Sequence, residues 1–342
     1  MMHRLCSGSG FAPLLTLNDK VLPGRQIAAS LVSVAVARGA PEYKILRGTG
    51  IFADDLVSNN ALSCRQIQKL AANAQQYAKG YDVSFRFGQQ LVTGHMHDVL
   101  PYFLHARHFG QCIRALPVLQ TLVSPFVSAQ RYQDDVNEYY LLQDAMGSGK
   151  QFVFMVEAYC AALVALAKLC TGKRLPFHFD FPFGRPRHIQ EYEAHLGFRL
   201  KFNQPMFAIR IEKSALRVPC LQASSMLNAY ARHRLLRQRI YRMGLLDNVR
   251  SLLNANAALT LPEAASQLAL SSSSLKRKLA EHHTSFTELH DSIRRQQAIF
   301  YLQVQKLNNE QSALKMAFTD ITNFRRAVKR WTGLTPSELR QV

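Results

Sequence analysis

One local pattern occurs twice in the last third of this chain, and it restricts that third to a small set of folds. The first copy reads Leu261-Pro-Glu-Ala-Ala-Ser-Gln-Leu-Ala-Leu-Ser-Ser-Ser-Ser-Leu-Lys-Arg-Lys-Leu279. Thr260 suits a helix N-cap, Pro262 suits the first turn, and Glu263 stands where a capping box with Thr260 needs it. Ala265 is small where two helices must approach closely, and Leu268 closes the first helix onto the second. Ser271 caps a new helix in which Leu275 and Leu279 share one face at i, i+4. Ser273, Lys276, Arg277 and Lys278 are left to face outward. A short helix, a tight turn and a second helix with a polar, basic outer face is the plan of a helix-turn-helix unit.

Forty-nine residues later the pattern returns as Glu310-Gln-Ser-Ala-Leu-Lys-Met-Ala-Phe-Thr-Asp-Ile-Thr-Asn-Phe-Arg-Arg-Ala-Val-Lys-Arg-Trp331. Phe324 and Val328 take the places of Leu275 and Leu279, and Thr322, Asn323, Arg325 and Arg326 take the outward places. Between the copies, Phe286 to about Gln305 reads as one long helix with Phe286, Leu289, Ile293 and Ile299 on its apolar side. Such a connector can hold two reading helices about 34 Å apart, one turn of DNA, on one face of a duplex.

Charge points the same way. The chain carries 42 Lys and Arg against 23 Asp and Glu, a net charge of +19. Residues 234–342 hold 17 of the former and eight of the latter, so +9 falls on the final third. A polyanionic partner is the first physical explanation for so basic a chain, and double-stranded DNA is the one that fits the paired units.

The residues of this region together are similar to a known signature. Leu270-Ser271, Leu275-Lys-Arg-Lys-Leu, Phe286, Arg294, Phe318, Phe324-Arg-Arg, Lys329-Arg-Trp-Thr-Gly333 and Pro336 resemble the AraC/XylS family of transcription regulators over about residues 245–342. The resemblance implies that Ser273, Lys276 and Arg277 reach bases from the first reading helix, and Thr322, Arg325 and Arg326 from the second. Arginine suits guanine edges because its fork gives bidentate bonds. Lys278, Asn323 and Arg330 complete the expected DNA contacts, and for each residue a phosphate contact or plain solvation is the alternative. Departures exist: Ala269 and Ala317 stand where the family usually has glycine in each turn, and His283 where glycine ends the first reading helix. Ser312 replaces a usual isoleucine, which is expected to weaken the second unit.

Residues from about Gly24 to Pro219 resemble, more loosely, the arabinose-binding-type sensor domain of one branch of that family. The matching pieces are Gly50-Ile-Phe, Asp55-Leu, Phe87-Gly88, Pro182, Tyr192-Glu, Leu196-Gly and Val218-Pro219. Helical spacing marks Ile27, Leu31, Val34 and Ala35, then Leu62, Ile67, Leu70 and Ala71, within a helical stretch expected from Gly24 to Tyr140. From Gln151 to Val218 the pattern predicts a mixed α/β unit. Its strands are Phe152-Val-Phe-Met-Val, the alternating Phe177–Phe183 run, Phe198–Phe202 and Phe207–Ile211, with a helix over Ile189–Leu196. The expected fold is therefore α+β, followed by an all-α domain with two helix-turn-helix units. The expected division is 1–220 for effector binding or dimerisation, 221–245 for a basic helical connector, and 246–342 for DNA binding. The connector is expected from the arginines of Tyr230–Met243; a solvated helix face is the plainer reading of the same residues.

The function this implies is a DNA-binding regulator, an activator controlled by a small organic effector. The many Phe and Leu residues suit an apolar pocket for a fatty-acid-like molecule, although each taken singly suits a core. RNA polymerase and a second copy of the chain are the other expected partners. No catalytic residue, cofactor or metal is expected, and pocket residues for the effector are not legible. No stretch reaches the ~20 apolar residues of a membrane span; Ala158–Cys170, interrupted by Lys168, reads as a buried helix. The start of the chain lacks the pattern of a signal peptide, which points to the cytoplasm. The six cysteines are scattered without a C-x-x-C pair, so neither a disulfide framework nor a zinc site is expected. Gly147-Ser-Gly-Lys150 has Asp144 and Gln151 where a phosphate loop needs Gly and Ser or Thr. His95-Met-His97 and His105-x-x-His108 lack further ligands. A DNA-repair alkyl-acceptor protein would share the DNA-binding domain, but Pro219-Cys220 is followed by Leu221 and Gln222, so no adjacent base lowers that thiol. A sequence-independent architectural DNA protein would leave the large front domain unexplained.

Overall fold

Phe152–Thr171 forms one helix of 20 residues, where the sequence reading placed a strand before a helix. The reason is burial on nearly every side: Phe154, Met155, Val156, Glu157, Ala158 and most residues after them are covered. A helix buried all round has no polar face, so its aromatic and β-branched start cannot be told from a buried strand by periodicity. Gly172, left-handed at φ 71°, ends it. The computed structural model describes residues 14–58, 60–94, 99–117, 119–237 and 244–341.

This helix is the axis of the front part. Helix Val83–Gly94 crosses it so closely that a Cβ on Gly88 would lie 2.0 Å from the Ala158 carbonyl oxygen. Gly24–Ala37 and Cys64–Tyr77 pack outside that pair. With its preceding turn, Gly149–Thr171 is long and apolar enough to cross a membrane, but 67% of its most apolar window is buried in protein, as in a core helix.

Among the described residues, seven strands make two sheets. β1 (Lys20–Pro23) pairs with β2 (Ala61–Ser63). β3 (Val127–Gln133), β4 (Asn137–Asp144), β5 (His178–Asp180), β6 (Leu200–Lys201) and β7 (Ala208–Glu212) form a sheet in the order β3-β4-β7-β5-β6. β3 and β4 are an antiparallel hairpin with Arg131 opposite Tyr140, and β4 sets Tyr140 opposite Ile209 of β7. β3 and the first half of β4 fall within the stretch, Gly24 to Tyr140, expected to be helical. β5 and β6 lie inside two expected strands but are shorter, β7 matches the expected Phe207–Ile211 strand shifted by one residue, and the helix Ile189–Leu196 is where it was expected. Phe177, Phe179 and Phe181 are buried at period two.

The rest is helical. Ser225–Arg237 follows the sheet; the remainder of the expected basic connector, residues 238–243, lies outside the described residues. Helices Leu245–Ala255, Leu261–Gln267, Ser272–Glu281, Phe286–Ile299, Asn309–Lys315, Ile321–Thr332 and Pro336–Gln341 complete the chain. The chain is thus an α+β fold followed by an all-α one. Two small cores divide the all-α part. Leu246, Val249, Leu253, Leu275, Leu279, Leu289 and Ile293 form one; Ala298, Ile299, Leu302, Phe324, Val328 and Leu339 form the other. Helix Phe286–Ile299, continued by a π turn over Phe300–Val304, gives one end to each core.

Candidate DNA-binding interface and the cleft beside it

The first helix-turn-helix unit assembles as its caps dictate. The backbone N–H and the hydroxyl of Thr260 both donate to Glu263 Oε2 at 2.8 Å. Ser271 Oγ accepts from the Ser274 N–H at 3.1 Å and starts the reading helix. Leu275 and Leu279 are buried, which turns Ser273, Lys276 and Arg277 to solvent and leaves Lys278 half-buried. In the second unit Asp320 caps the reading helix, accepting from the N–H groups of Asn323 at 2.9 Å and Thr322 at 3.1 Å. Those bonds hold its carboxyl below the usual range. Phe324 and Val328 are buried, and Thr322, Asn323, Arg325 and Arg326 are exposed. Arg330 is exposed too, but it is paired: its Nη2 lies 3.1 Å from Asp291 Oδ1, which also accepts from Trp331 Nε1 at 2.9 Å. That pair ties the end of the second reading helix to the long helix.

The four departures from the family pattern all carry strain or a defect. Ala269, His283 and Ala317 have φ of 54°, 55° and 56°, the left-handed region that glycine adopts most easily. Ser312 is fully buried, with no hydrogen-bond partner for its hydroxyl.

The first reading helix also ends against the front part. His282 Nδ1 lies 3.1 Å from the Met146 carbonyl oxygen, and its Nε2 accepts from the Leu17 N–H at 3.3 Å. That assigns a neutral ring protonated on Nδ1. Burial pushes the imidazole below its ordinary value. Gly147 is at φ 69°, and a Cβ there would lie 2.2 Å from the His282 carbonyl oxygen. Arg250 Nη2 donates to the Asp144 carbonyl at 2.8 Å, and Gln120 Nε2 donates to Asp247 at 2.8 Å. On the far side Tyr132 stacks on Phe300 with centroids 4.5 Å apart. The reading faces remain open to solvent.

Beside this contact lies an open cleft of about 660 Å³. Arg65, Gln66 and Lys69 line one side, Ser148 and Lys150 another, and His283 brings in the reading helix. No Asp or Glu is among its described lining residues. The Gly147–Lys150 loop is not a phosphate cradle, because the Asp144 carboxylate already accepts from the N–H groups of Ser148 at 2.5 Å and Gly149 at 3.2 Å. The sequence reading missed the cleft because its walls come from segments more than seventy residues apart. The aromatic residues expected to suit an apolar pocket pack on one another: Phe181 lies 5.5 Å from Phe202 and 5.3 Å from Tyr192, centroid to centroid.

Cys220 has neighbours that its place in the sequence does not show, because the fold brings Cys112 and Cys170 to its thiol. It is also buried, at 4% exposure. His105 Nδ1 lies 2.9 Å from the Gln222 carbonyl oxygen, while His95-Met-His97 lies outside the described residues.

Comparison with known proteins decides the family. The profile described as the arabinose-binding domain of the AraC transcription regulator, N-terminal, matches residues 39–220. A helix-turn-helix domain profile matches residues 264–341. The chain belongs to the AraC family of transcription regulators. Among curated relatives, it is 27% identical over 291 residues to the ornithine utilization regulator of Pseudomonas aeruginosa, covering 83% of this chain and 86% of that one. It is 25% identical over 345 residues to an HTH-type transcriptional regulator of Mycobacterium tuberculosis, covering 90% and 93%. The crystal structure of the transcriptional regulator CdpR from Pseudomonas aeruginosa aligns at 18% identity over 77% of this chain and 88% of that one, with a TM-score of 0.35.

Proposed function

We propose that this AraC-family regulator senses a small anionic organic molecule in the cleft beside His283 and passes its state to the first reading helix. The observation that carries the reading is the cleft itself. Arg65, Lys69 and Lys150 give it positive charge, and its walls include both the front part and the end of the reading helix. A ligand held there contacts both halves, so its affinity depends on how they are arranged, and that dependence is what couples ligand to DNA. A polar, basic lining suits a carboxylate or phosphate, whereas a fatty-acid chain needs an apolar wall. The Pseudomonas relative is named for ornithine utilization, so amino-acid carboxylates belong in the first panel of ligands.

In this reading residues 1–220 form the sensor, 221–245 the connector and 246–342 the DNA-binding domain. Ser273, Lys276, Arg277, Lys278, Thr322, Asn323, Arg325 and Arg326 meet the duplex, and Arg330 supports the second helix through Asp291. The protein works in the cytoplasm as an activator that recruits RNA polymerase. A homodimer is supported by the exposed Met226, Leu227 and Tyr230 on helix Ser225–Arg237, an apolar strip in need of cover.

The test is DNA affinity of the full chain with a panel of small carboxylates, phosphates, neutral sugars and fatty acids. At least one anion is expected to shift affinity by about 5–150-fold, the usual range of such coupling. Lys69→Glu with Lys150→Glu should abolish the shift and leave ligand-free DNA binding intact. A response confined to fatty acids or neutral sugars, or one that survives the double variant, overturns the reading.

A further inference from the structure

Three cysteines far apart in the sequence meet in the fold. Cys112 lies on helix Phe109–Ala115, Cys170 in the last turn of Phe152–Thr171, and Cys220 just beyond the sheet. Their sulfur atoms all lie within 4.8 Å of one another, and all three residues are buried. One buried cysteine behaves as a small hydrophobe and needs no further account. Three thiols converging from three segments are different. Alanine or valine would fill such a site without a reactive group, whereas soft sulfur donors at this spacing match one class of ligand.

Geometry supports that match. A metal ion bonded to thiolates at about 2.3 Å sets its sulfurs roughly 4 Å apart, so the cluster needs a contraction of less than about 1 Å. A further donor is held on the neighbouring backbone: His108 pairs with Pro219, next to Cys220, and its buried Nδ1 has no hydrogen-bond partner among the described residues, although the ring lies outside the 4.8 Å group.

We propose that Cys112, Cys170 and Cys220 form a buried thiolate site for a soft d10 metal ion, Zn2+ or Cu+, with His108 as the candidate fourth ligand. Zn2+ uses four ligands, and a Cys3His set leaves one net negative charge; Cu+ accepts three sulfurs alone. Binding releases the thiol protons to solvent. The site lies where the front part hands over to helix Ser225–Arg237. The Leu221 N–H donates to the Cys170 carbonyl at 2.8 Å, the Cys220 N–H to the Arg107 carbonyl at 3.3 Å, and the Ser224 N–H to the His105 carbonyl at 3.1 Å. A bound ion would fasten the start of that helix to two helices of the sensor.

The proposal is separate from the basic cleft and stands or falls without it. The experiment uses the full chain, reduced and kept free of oxygen, titrated with Zn2+ and with Cu+ in turn against a coloured competing chelator. One ion per chain is expected, with near-ultraviolet absorption from metal–thiolate bonds and a higher unfolding temperature. Cys112→Ser, Cys170→Ser and Cys220→Ser should each weaken binding at least tenfold. Cys160→Ala, a buried cysteine of the same helix outside the cluster, should not. His108→Ala should weaken Zn2+ and leave Cu+ unaffected. Uptake of either ion with that pattern supports the site and names the ion. Failure of the unaltered chain to take either ion from the chelator overturns it, as does uptake that survives replacement of all three cysteines.

Discussion

Ser312 shows what one atom does to a small core. Its hydroxyl is buried among the residues of the second helix-turn-helix unit with nothing to bond to, and an unpaired buried polar group costs about 1–3 kcal/mol. Ser312→Ala should therefore raise stability by about 1 kcal/mol, read as a higher denaturation midpoint with an unchanged denaturant slope. A lower midpoint would mean that the hydroxyl has a partner in solution. On the reading face, Arg277→Ala should cost roughly 1–3 kcal/mol at the cognate site and relax preference at one or two base pairs. Lys278 is half-buried, with less reach, and as a phosphate contact its loss should weaken all sequences alike and lower the salt slope by about one. Equal losses for both variants on cognate and random DNA would show that the outward residues are misassigned. These residues were legible because capping and i, i+4 burial are local rules, and the departures at Ala269 and Ala317 were legible as departures. The ion pair that occupies Arg330 was not, since Asp291 lies thirty-nine residues away.

At the scale of elements, the helical third followed its local signals, and the front part did so only in places. Phe152-Val-Phe-Met-Val misled because full burial removes the polar face that distinguishes a helix from a strand. β3 and β4 were missed for the opposite reason. β3 is an edge strand whose Ser128, Gln130 and Arg131 look like loop, and its stability comes from pairing with β4. The docking of His282 gives this scale its test. The neutral ring donates from Nδ1 to Met146 and accepts from Leu17 on Nε2, so a second ring proton would face the Leu17 N–H. Glu281 favours that proton, while Arg65 and Lys278 oppose it. Because burial lowers the folded value, the undocked protein takes up the proton first. Docking is then at full strength above about pH 6.5, the ordinary histidine value, and weakens as pH falls below it. Hydrogen exchange of residues 144–149 should speed up between pH 7.5 and 5.5, after correction for intrinsic rates, in the natural chain. His282→Gln should flatten that dependence. Equal dependence in both would remove His282 from the contact.

The whole molecule joins a reading head to a sensing body through contacts that local sequence rules do not reach. The cleft takes residues from positions 48 to 283 and the thiol cluster from 112 to 220. Spacing along the chain carries no signal for either. The first helix-turn-helix unit, by contrast, has a core built mostly from its own helices, the second shares its core with Leu141, Met206 and Ala208 of the sheet, and both share the long helix. Leu245 and Leu246 are buried in the first of those cores, so an autonomous DNA-binding fragment should begin at Gly244, ahead of the expected boundary at 246. That fragment is expected to bind duplex DNA alone and to protect two successive major-groove segments on one face. The full chain without ligand should give the same two segments with a different ratio of affinities. His282 and Arg250 anchor the first unit to the sensor directly, whereas the second unit meets it through Phe300 and its neighbours. Ligand should therefore change protection of the first segment more than the second. If the fragment protects only one segment, the second unit is a structural support and the +9 charge of the final third serves phosphates alone. If ligand moves both segments together, the two units turn as one body on the long helix and the connector, not the His282 contact, carries the signal.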